Sequence, residues 1–276
     1  MDFDILQDLL KNLPLGQIRF FNKTSSTNDE ADRWIDTGAP DMSLVIADEQ
    51  TNGRGRQGRK WFTPPNSALA ISIILKELRT SLPLGNNYSP TSTISRLTCL
   101  GTIAICKSLE YNYKLEPQIK WPNDVLLQGK KVAGILAETK WQGEMCSSAI
   151  LGIGVNVAPQ SVPPRKELVF PATCIQTVLG ESISRLELLH SILENLIQMR
   201  IQLFEPGFID AWNKYLAYRG EWVDIIINDR NKTIDHLHAQ VIGLDLDGNL
   251  KVRQTSGNIQ TLFNGEISLR PKNILQ

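Results

Sequence analysis

Nine consecutive residues carry the densest concentration of chemistry in this chain. Residues 53–61 read G-R-G-R-Q-G-R-K-W, which places four positive charges and three glycines in nine positions. Glycine adopts backbone conformations that other residues resist, and arginine presents a planar fork of donors that matches phosphate or carboxylate. The run at 43–49 predicts a strand that leads into this segment. The segment, called the arginine loop below, is therefore predicted to close over an anionic ligand.

Three familiar glycine motifs do not explain the arginine loop. Its glycines satisfy G-x-G-x-x-G, but the dinucleotide fingerprint needs a helix to begin there, and W-F-T-P-P follows instead. A Walker A loop needs Lys and then Ser or Thr after its last glycine, and protein kinases need H-R-D and D-F-G, which the sequence lacks. A nucleic-acid patch stays open as an alternative, because Trp61 and Phe62 adjoin the arginines.

Overall composition speaks against a nucleic-acid patch. The chain has 29 Lys+Arg against 29 Asp+Glu, so no broad basic surface for a polyanion is expected. Its 276 residues, 42% of them hydrophobic, suffice for one sizeable core and a small second domain. No secretory leader and no apolar run of membrane length occurs, which predicts a cytoplasmic protein without a membrane partner. The four cysteines and three histidines lack metal-ligand spacing and are interpreted as structural.

A second polar cluster precedes the loop. Ser26 and Thr27, with acidic residues three positions later, fit the start of a helix over 27–36. Alternatively, these hydroxyls and the amide of Asn28 could face a polar ligand. Spacing alone favours helix capping.

Two more segments are open to both a structural and a chemical interpretation. Asn123 and Asp124 follow a proline and fit an Asx turn, but their oxygens are also of the type that Mg²⁺ prefers. Lys131 begins an apolar run and could be a solvated lysine at a strand start or a cation directed at an anion. The spacing does not decide between these alternatives.

Hydrophobic periodicity predicts an α+β fold with a mixed sheet. Helices are predicted at 3–11, 27–36 and 93–113, and two more between 185 and 218, separated at Pro206-Gly207. Strands are predicted at 18–21, 43–49, 68–75, 119–121, 125–127, 131–141 and 144–157, then at 222–227, 239–244, 250–254 and 260–263. The last group, with a turn at 247–249, indicates a small barrel resembling an SH3 fold. Domains are thus predicted at 1–220 and 221–276.

The arginine loop and three further words closely resemble the biotin protein ligase family. These words are K-W-P-N-D at 120–124, K-V-A-G-I-L at 131–136 and G-I-G-V-N-V at 152–157, and G-E-I-S-L-R at 265–270 matches the family's C-terminal word. The resemblance covers nearly the whole chain. It implies a mixed-sheet catalytic domain of the class II synthetase-like biotin/lipoate ligase type, followed by a small SH3-like β-barrel.

The resemblance also implies an activity. Members of the family use ATP and Mg²⁺ to convert biotin into biotinyl-5′-AMP, and then transfer biotin to a lysine of a biotin carboxyl carrier protein. Because this first step brings two anions together, positive donors are needed to position them. The remaining alternatives are a lipoate–protein ligase and a regulator that retains the adenylate without transferring it.

Matching the family's motifs residue by residue implies roles for sixteen positions. The catalytic residues implied are Lys131, Arg54, Arg56 and Arg59. The biotin-binding residues implied are Ser26, Thr27, Asn28, Gln50, Gly53, Arg54, Arg56, Lys131, Gly134 and Gly152. The ATP-binding residues implied are Arg59, Trp61, Asn123, Asp124, Lys131, Asn156 and Arg270, with Asp124 also a candidate metal ligand.

The chain departs from the two-function members of the family at its N-terminus. Those members carry a winged helix-turn-helix ahead of the S-T-N triplet, and the residues before Ser26 are too few for one. The expectation is therefore a monofunctional ligase that does not bind DNA. Sheet edges predicted near 144–157 suggest a homodimer.

Overall fold

The first 156 residues contain a seven-stranded mixed sheet. The computed structural model describes residues 2–76, 78, 89–205, 207–227, 235–263 and 267–271. The strands are β1 (Ile18–Thr24), β2 (Ser43–Gln50), β3 (Ala68–Lys76), β4 (Gln118–Lys120), β5 (Asp124–Leu127), β6 (Lys130–Gln142) and β7 (Met145–Asn156). Neighbours follow the order β1-β2-β3-β7-β6-β5-β4. Only β1 and β2 are parallel, because a helix connects them, whereas the other neighbours pair antiparallel.

Six α-helices accompany the sheet in the described part of the chain. They are α1 (Phe3–Leu10), α2 (Thr27–Asp36), α3 (Pro90–Tyr113), α4 (Ile175–Leu179), α5 (Arg185–Arg200) and α6 (Phe208–Tyr215). Helix α3 begins three residues earlier than predicted, because Ser89 caps it by accepting from the Ser92 N–H at 3.1 Å, with Pro90 in the first turn. Helix α4 was not predicted, since five residues are too few to show a helical period. Among the described residues, no helix is long and apolar enough to cross a membrane.

Both faces of the sheet are covered. Successive residues of a strand point to opposite faces, and Leu44 and Ile46 of β2 join the main core, which also includes α3 and α5. Val45, between them, joins a smaller core with Ala31 and Trp34 of α2. The near-continuous apolar runs of β2 and β3 follow from this two-sided burial.

Strand β7 lies inside the sheet, between β3 and β6. The prediction of an exposed edge near 144–157 is therefore wrong, and the argument for a homodimer that rested on it fails. The strands at the two ends of this sheet are β1 and β4. Periodicity predicts that a strand exists, but its neighbours depend on long-range pairing.

A second, antiparallel sheet follows. Its strands are β8 (Trp222–Ile227), β9 (Asp235–Leu244), β10 (Leu250–Gln254), β11 (Ile259–Leu262) and β12 (Ile267–Pro271), in the order β11-β10-β9-β8-β12. The predicted turn between β9 and β10 is present, because the Asp245 carboxylate accepts from the N–H groups of Asp247 and Asn249, each at 2.9 Å. The carboxylate of Asp245 is thus used to form a turn.

This turn also joins the two sheets. The indole of Trp121, in the K-W-P-N-D word, donates to the carbonyl of Gly248 at 3.0 Å. Buried Arg96 of α3 donates to the carbonyl of Leu246 at 3.1 Å and to that of Leu203 at 2.9 Å. The small sheet therefore supports the segment that carries Asn123 and Asp124.

Candidate functional site

A cavity of about 470 Å³ opens on the α2 face of the large sheet. It collects fifteen of the sixteen predicted site residues, which lie on different strands, helices and loops. Those lining it are Ser26, Thr27, Asn28, Gln50, Gly53, Arg54, Arg56, Arg59, Trp61, Asn123, Asp124, Lys131, Gly134, Gly152 and Asn156. The sixteenth, Arg270, lies on β12, and its side chain is outside the described residues.

The floor of the cavity is a place in the sheet where side chains are missing. Gly154 of β7 lies opposite Gly134 of β6 on one side and Ala70 of β3 on the other. Gly152 of β7 lies opposite Ser72 of β3. Since directly opposed residues share a face, these small residues form one continuous depression between strands. The Trp61 indole lies against this main chain at Gly154, and the Asn28 side chain lies against it at Gly152.

The S-T-N triplet forms one wall. Ser26 occupies the N-cap position of α2, yet its side chain makes no capping hydrogen bond, so the capping interpretation favoured on spacing is wrong for this residue. Buried Ser72 donates to the Thr27 hydroxyl at 2.8 Å or to Asn28 Oδ1 at 2.6 Å. Gln50 Oε1 accepts from the Thr27 N–H at 2.8 Å. These contacts fix the orientation of the hydroxyl and amide groups that face the cavity.

The glycine at 152 is required by this wall. A Cβ there would lie 2.2 Å from the Asn28 Oδ1 atom. The sequence interpretation assigned Gly152 to biotin binding. In the structure, the absence of a side chain at this position makes room for Asn28.

The arginine loop is a narrow hairpin. The Trp61 N–H donates to the Gly53 carbonyl at 2.8 Å, and the Gly55 N–H donates to the Arg59 carbonyl at 2.7 Å. A 3₁₀ turn, Arg56–Gly58, forms its tip, where Gly58 has a φ of +69°. The loop is thus held by its own backbone, and the side chains of Arg54, Arg56, Arg59, Lys60 and Trp61 line the cavity.

The three arginines of the loop have different partners. Arg54 pairs with Asp29 and Glu138, with N–O distances of 2.8 Å to both carboxylates. Arg56 donates to Asn123 Oδ1 at 3.4 Å, and its pKa is lowered because burial disfavours the charge more than Asp124 favours it. Exposed Arg59 donates to the carbonyl of Arg56 at 3.3 Å. Arg56 is thus hydrogen-bonded to the K-W-P-N-D word, whereas Arg54 is paired with carboxylates of other elements.

Trp61 lies over the glycine floor. A Cβ on Gly154 would be 2.3 Å from the indole, and one on Gly134 would be 3.2 Å from it. The Lys131 ammonium lies 5.3 Å from the centre of the ring. The indole Nε1 is buried without a hydrogen-bond partner among the described residues. The site therefore has an aromatic surface and an available donor above its floor.

Asp124 joins two lysines at one side of the cavity. Lys131 Nζ lies 2.6 Å from one carboxylate oxygen, and Lys120 Nζ lies 3.6 Å from the other. Burial acts to raise the pKa of Asp124, but the charges of Lys131 and Lys120 outweigh it, so its pKa lies below the usual value. The carboxylate is ionised at neutral pH and holds both ammonium groups in place.

The described side chains at the cavity do not form a binding site that could hold a metal ion by themselves. In the described ranges, no group of three His, Cys, Asp or Glu side chains could hold one. Both oxygens of Asp124 already contact ammonium groups. Mg²⁺ usually keeps several waters and binds substrate phosphates. The residues therefore fit a Mg²⁺ ion that is carried by the triphosphate and do not fit a protein cage.

Two asparagines border the same region. Asn123 donates to the Ile135 carbonyl at 2.9 Å, and the Ile135 N–H donates back to the Asn123 carbonyl at 3.0 Å. Buried Asn156 donates to the Thr173 carbonyl at 3.1 Å. These bonds hold K-W-P-N-D and the end of β7 at the cavity.

Sequence reasoning missed several residues of the site. Lys120 was quoted within K-W-P-N-D but was assigned no role, and Asp29 and Glu138 were not considered as site residues. Glu138 could have been found, because it lies two and four residues from Leu136 and Gly134 on one strand, and alternate residues share a face. The Asp29 contact required the tertiary structure.

The comparisons with known proteins show the family of the chain. Residues 20–156 match the Biotin/lipoate A/B protein ligase family. The chain is 31% identical to the bifunctional ligase/repressor BirA of Bacillus spizizenii, over 94% of this chain and 76% of that protein. It is 30% identical to the biotin–[acetyl-CoA-carboxylase] ligase of Paracoccus denitrificans, over 85% of this chain and 93% of that protein.

A solved structure, the biotin protein ligase from Aquifex aeolicus in complex with biotin and ATP, has the same fold. It is 25% identical, with a TM-score of 0.75 over 93% of this chain and 99% of that chain. The α+β class and the mixed sheet predicted from sequence are thereby confirmed. On the matching words, the cavity and these relatives, the chain belongs to the Biotin/lipoate A/B protein ligase family and, within it, to the biotin protein ligases.

Proposed function

We infer that this protein is an ATP-dependent biotin protein ligase. It activates biotin as biotinyl-5′-AMP, with release of pyrophosphate, and then transfers biotin to a lysine of a carrier protein. The observation that carries this conclusion is the convergence of the arginine loop, K-W-P-N-D, K-V-A-G-I-L and G-I-G-V-N-V on one cavity. Fold and relatives support the reaction class, and the residues that line the cavity support the roles proposed below.

Biotin is assigned to the glycine floor and the S-T-N wall. Its fused rings are assigned to the floor beside the Trp61 indole, and its ureido group can hydrogen-bond with the hydroxyls of Ser26 and Thr27 and the amide of Asn28. The oriented contacts of Thr27 and Asn28 with Gln50 and Ser72 support this, because their directions are set before a ligand binds. The carboxylate end of biotin then extends toward Lys131.

The nucleotide is assigned to the side with the cations. MgATP enters as the substrate, and its α-phosphate lies between Lys131 and Arg56, the two cations that approach Asp124 and Asn123. These groups neutralise the biotin carboxylate and the α-phosphate of ATP. They stabilise the transition state more than the bound substrates, because negative charge is concentrated there. Trp61 covers the adenine side of the site. Lys120, which lies near the other carboxylate oxygen of Asp124, adds positive charge on the same side of the cavity.

Water must stay away from the adenylate until the acceptor arrives, since the mixed anhydride hydrolyses. The arginine loop and Trp61 lie over the cavity, so they would keep water away from an adenylate bound there. The acceptor amine then attacks the carbonyl carbon of the adenylate, and AMP leaves.

Further parts of the function extend this proposal. The acceptor is proposed to be the lysine of a biotin carboxyl carrier protein, and the compartment the cytoplasm. Operator-specific DNA binding is expected to be absent, because the charges balance at 29 against 29. A sequence-selective shift of duplex DNA that resists salt would contradict this.

The reaction is tested by incubating the protein with ATP, Mg²⁺, an apo carrier domain and either biotin or lipoate. The mass of the carrier should rise by one biotinyl group, only when ATP and Mg²⁺ are present. Lipoylation would indicate a lipoate ligase. An adenylate that forms but is never transferred would indicate a regulator, and an unchanged carrier with no adenylate would refute the assignment.

A further inference from the structure

Arg54 is held by two carboxylates that belong to other elements. Its Nη1 and Nη2 atoms donate to the two oxygens of Glu138 on β6, each at 2.8 Å. Its Nε lies 2.8 Å from Oδ1 of Asp29 on α2. All three nitrogen atoms of the guanidinium therefore contact carboxylates, and the pair with Glu138 has the bidentate geometry that arginine favours.

Both carboxylates stand next to the proposed biotin wall. Asp29 directly follows the S-T-N triplet, and Glu138 lies on the same face of β6 as Gly134. The Asn28 amide also donates to Glu138, at 2.6 Å. One carboxylate thus holds the arginine loop and orients a residue of the wall at the same time. The hydrogen bond to Glu138 raises the pKa of Arg54.

The sequence interpretation gave Arg54 the same task as Arg56, namely contact with the reacting anions. The structure separates the two. Arg56 approaches Asn123, on the nucleotide side, whereas Arg54 turns to the opposite side of the cavity. A phosphate that recruited Arg54 would have to break contacts with two carboxylates.

We propose that Asp29 and Glu138 are positioning residues that hold the arginine loop closed through Arg54, so that this arginine acts in retaining the adenylate and not in forming it. The retention part rests on the function proposed above. The three residues Asp29, Arg54 and Glu138 are called the latch.

The test compares Asp29→Asn and Glu138→Gln with the unchanged protein. Asp29→Asn is the cleaner variant, because Glu138 also holds Asn28. In Asp29→Asn, single-turnover formation of biotinyl-5′-AMP should change less than threefold. In both variants, its release into solution should become about tenfold faster, which corresponds to about 1.4 kcal/mol. The partial exposure of the latch limits the effect to this order. Released adenylate should also label lysines of a bystander protein.

A matched control lies on the same two elements. Lys140 of β6 bridges to Asp32 and Asp36 of α2 at 2.9 and 2.7 Å, without touching the loop. Lys140→Gln removes an ion pair between these elements and should leave adenylate release unchanged. An equal increase in Lys140→Gln would mean that the latch variants act by loosening α2, and would overturn the proposal.

A second measurement needs no substrate. Trypsin should cleave within residues 54–60 about tenfold faster in Asp29→Asn and Glu138→Gln than in Lys140→Gln, as mapped by mass spectrometry. The trypsin experiment needs no adenylate, so it tests whether the latch holds the loop closed even if the proposed function is wrong. Unchanged cleavage and unchanged release in the latch variants would refute the proposal. If adenylate formation in Asp29→Asn fell by as large a factor as release rose, Arg54 would act in forming the adenylate.

Discussion

The ion pair between Lys131 and Asp124 gives the sharpest test of the proposed chemistry, because removing the lysine should have two separable effects. In Lys131→Met, adenylate formation loses a cation that is most valuable in the transition state. The expected fall in the single-turnover rate is about 100- to 1,000-fold, or about 2.7–4 kcal/mol. Biotin affinity should fall less, because the glycine floor and the S-T-N wall do not depend on that charge.

The same substitution should also destabilise the fold. Leaving one partner of a buried ion pair alone costs about 3–5 kcal/mol. Here Lys131 is 24% exposed, and Lys120 stays 3.6 Å from the other oxygen of Asp124. The loss should therefore be about 2 kcal/mol, which lowers Tm by about 4–8 °C in a protein of this size.

A double variant separates the two effects. Asp124→Asn with Lys131→Met removes both partners of this ion pair, so thermal stability should recover in part, because Lys120 loses its contact with the carboxylate, whereas adenylate formation should stay low. Quenched-flow measurement of adenylate, calorimetry with biotin and thermal unfolding supply the three values. If the double variant regains adenylate formation, or if formation and biotin affinity fall equally in Lys131→Met, then Lys131 only binds substrate or supports Asp124.

The pH dependence of stability follows from the same pair. The pKa of Asp124 is below its usual value of 3.8, so the folded state binds this proton more weakly than the unfolded state. The stabilisation is thus present above pH 3.8 and is lost as the pH falls through the folded-state pKa. Asp124→Asn should cost more free energy of unfolding at pH 7 than at pH 3, and equal losses in denaturant titrations would contradict this.

Three further predictions concern the floor, the contact between the sheets and the thiols. Gly154→Ala places a Cβ 2.3 Å from the indole of Trp61 and should weaken ATP binding about tenfold, measured by calorimetry; unchanged affinity would mean that Trp61 lies elsewhere when ATP binds. Trp121→Phe removes the donor to the Gly248 carbonyl and should lower the free energy of unfolding by about 1–3 kcal/mol, with ATP affinity reduced more than biotin affinity; an unchanged Tm would contradict the contact. Burial raises the pKa of Cys146 to about 11, so a thiol reagent should label the native protein at least about 100-fold more slowly than the unfolded protein, and rapid native labelling at this site would count against its burial.

Much of the local structure was determined by the sequence. Helix α2 begins and ends at the predicted residues, and β8 and β10 do the same, because hydrophobic period and turn residues act over short distances. The cysteines are buried and free, as predicted. The arginine loop, K-W-P-N-D and the glycine words pointed to a ligase of biotin because each matches a motif of the family.

Only the tertiary structure decided how these pieces meet. Arg54 and Glu138 are 84 residues apart, and no period in the sequence links them. Spacing favoured a capping role for Ser26, but in the structure its side chain makes no capping hydrogen bond, and Gln50, from β2, accepts from the first N–H of α2. Strand β7 was expected at an edge and lies inside the sheet. Contacts of this kind depend on which strands pair, and that choice is made by burial over the whole chain and not by any local pattern.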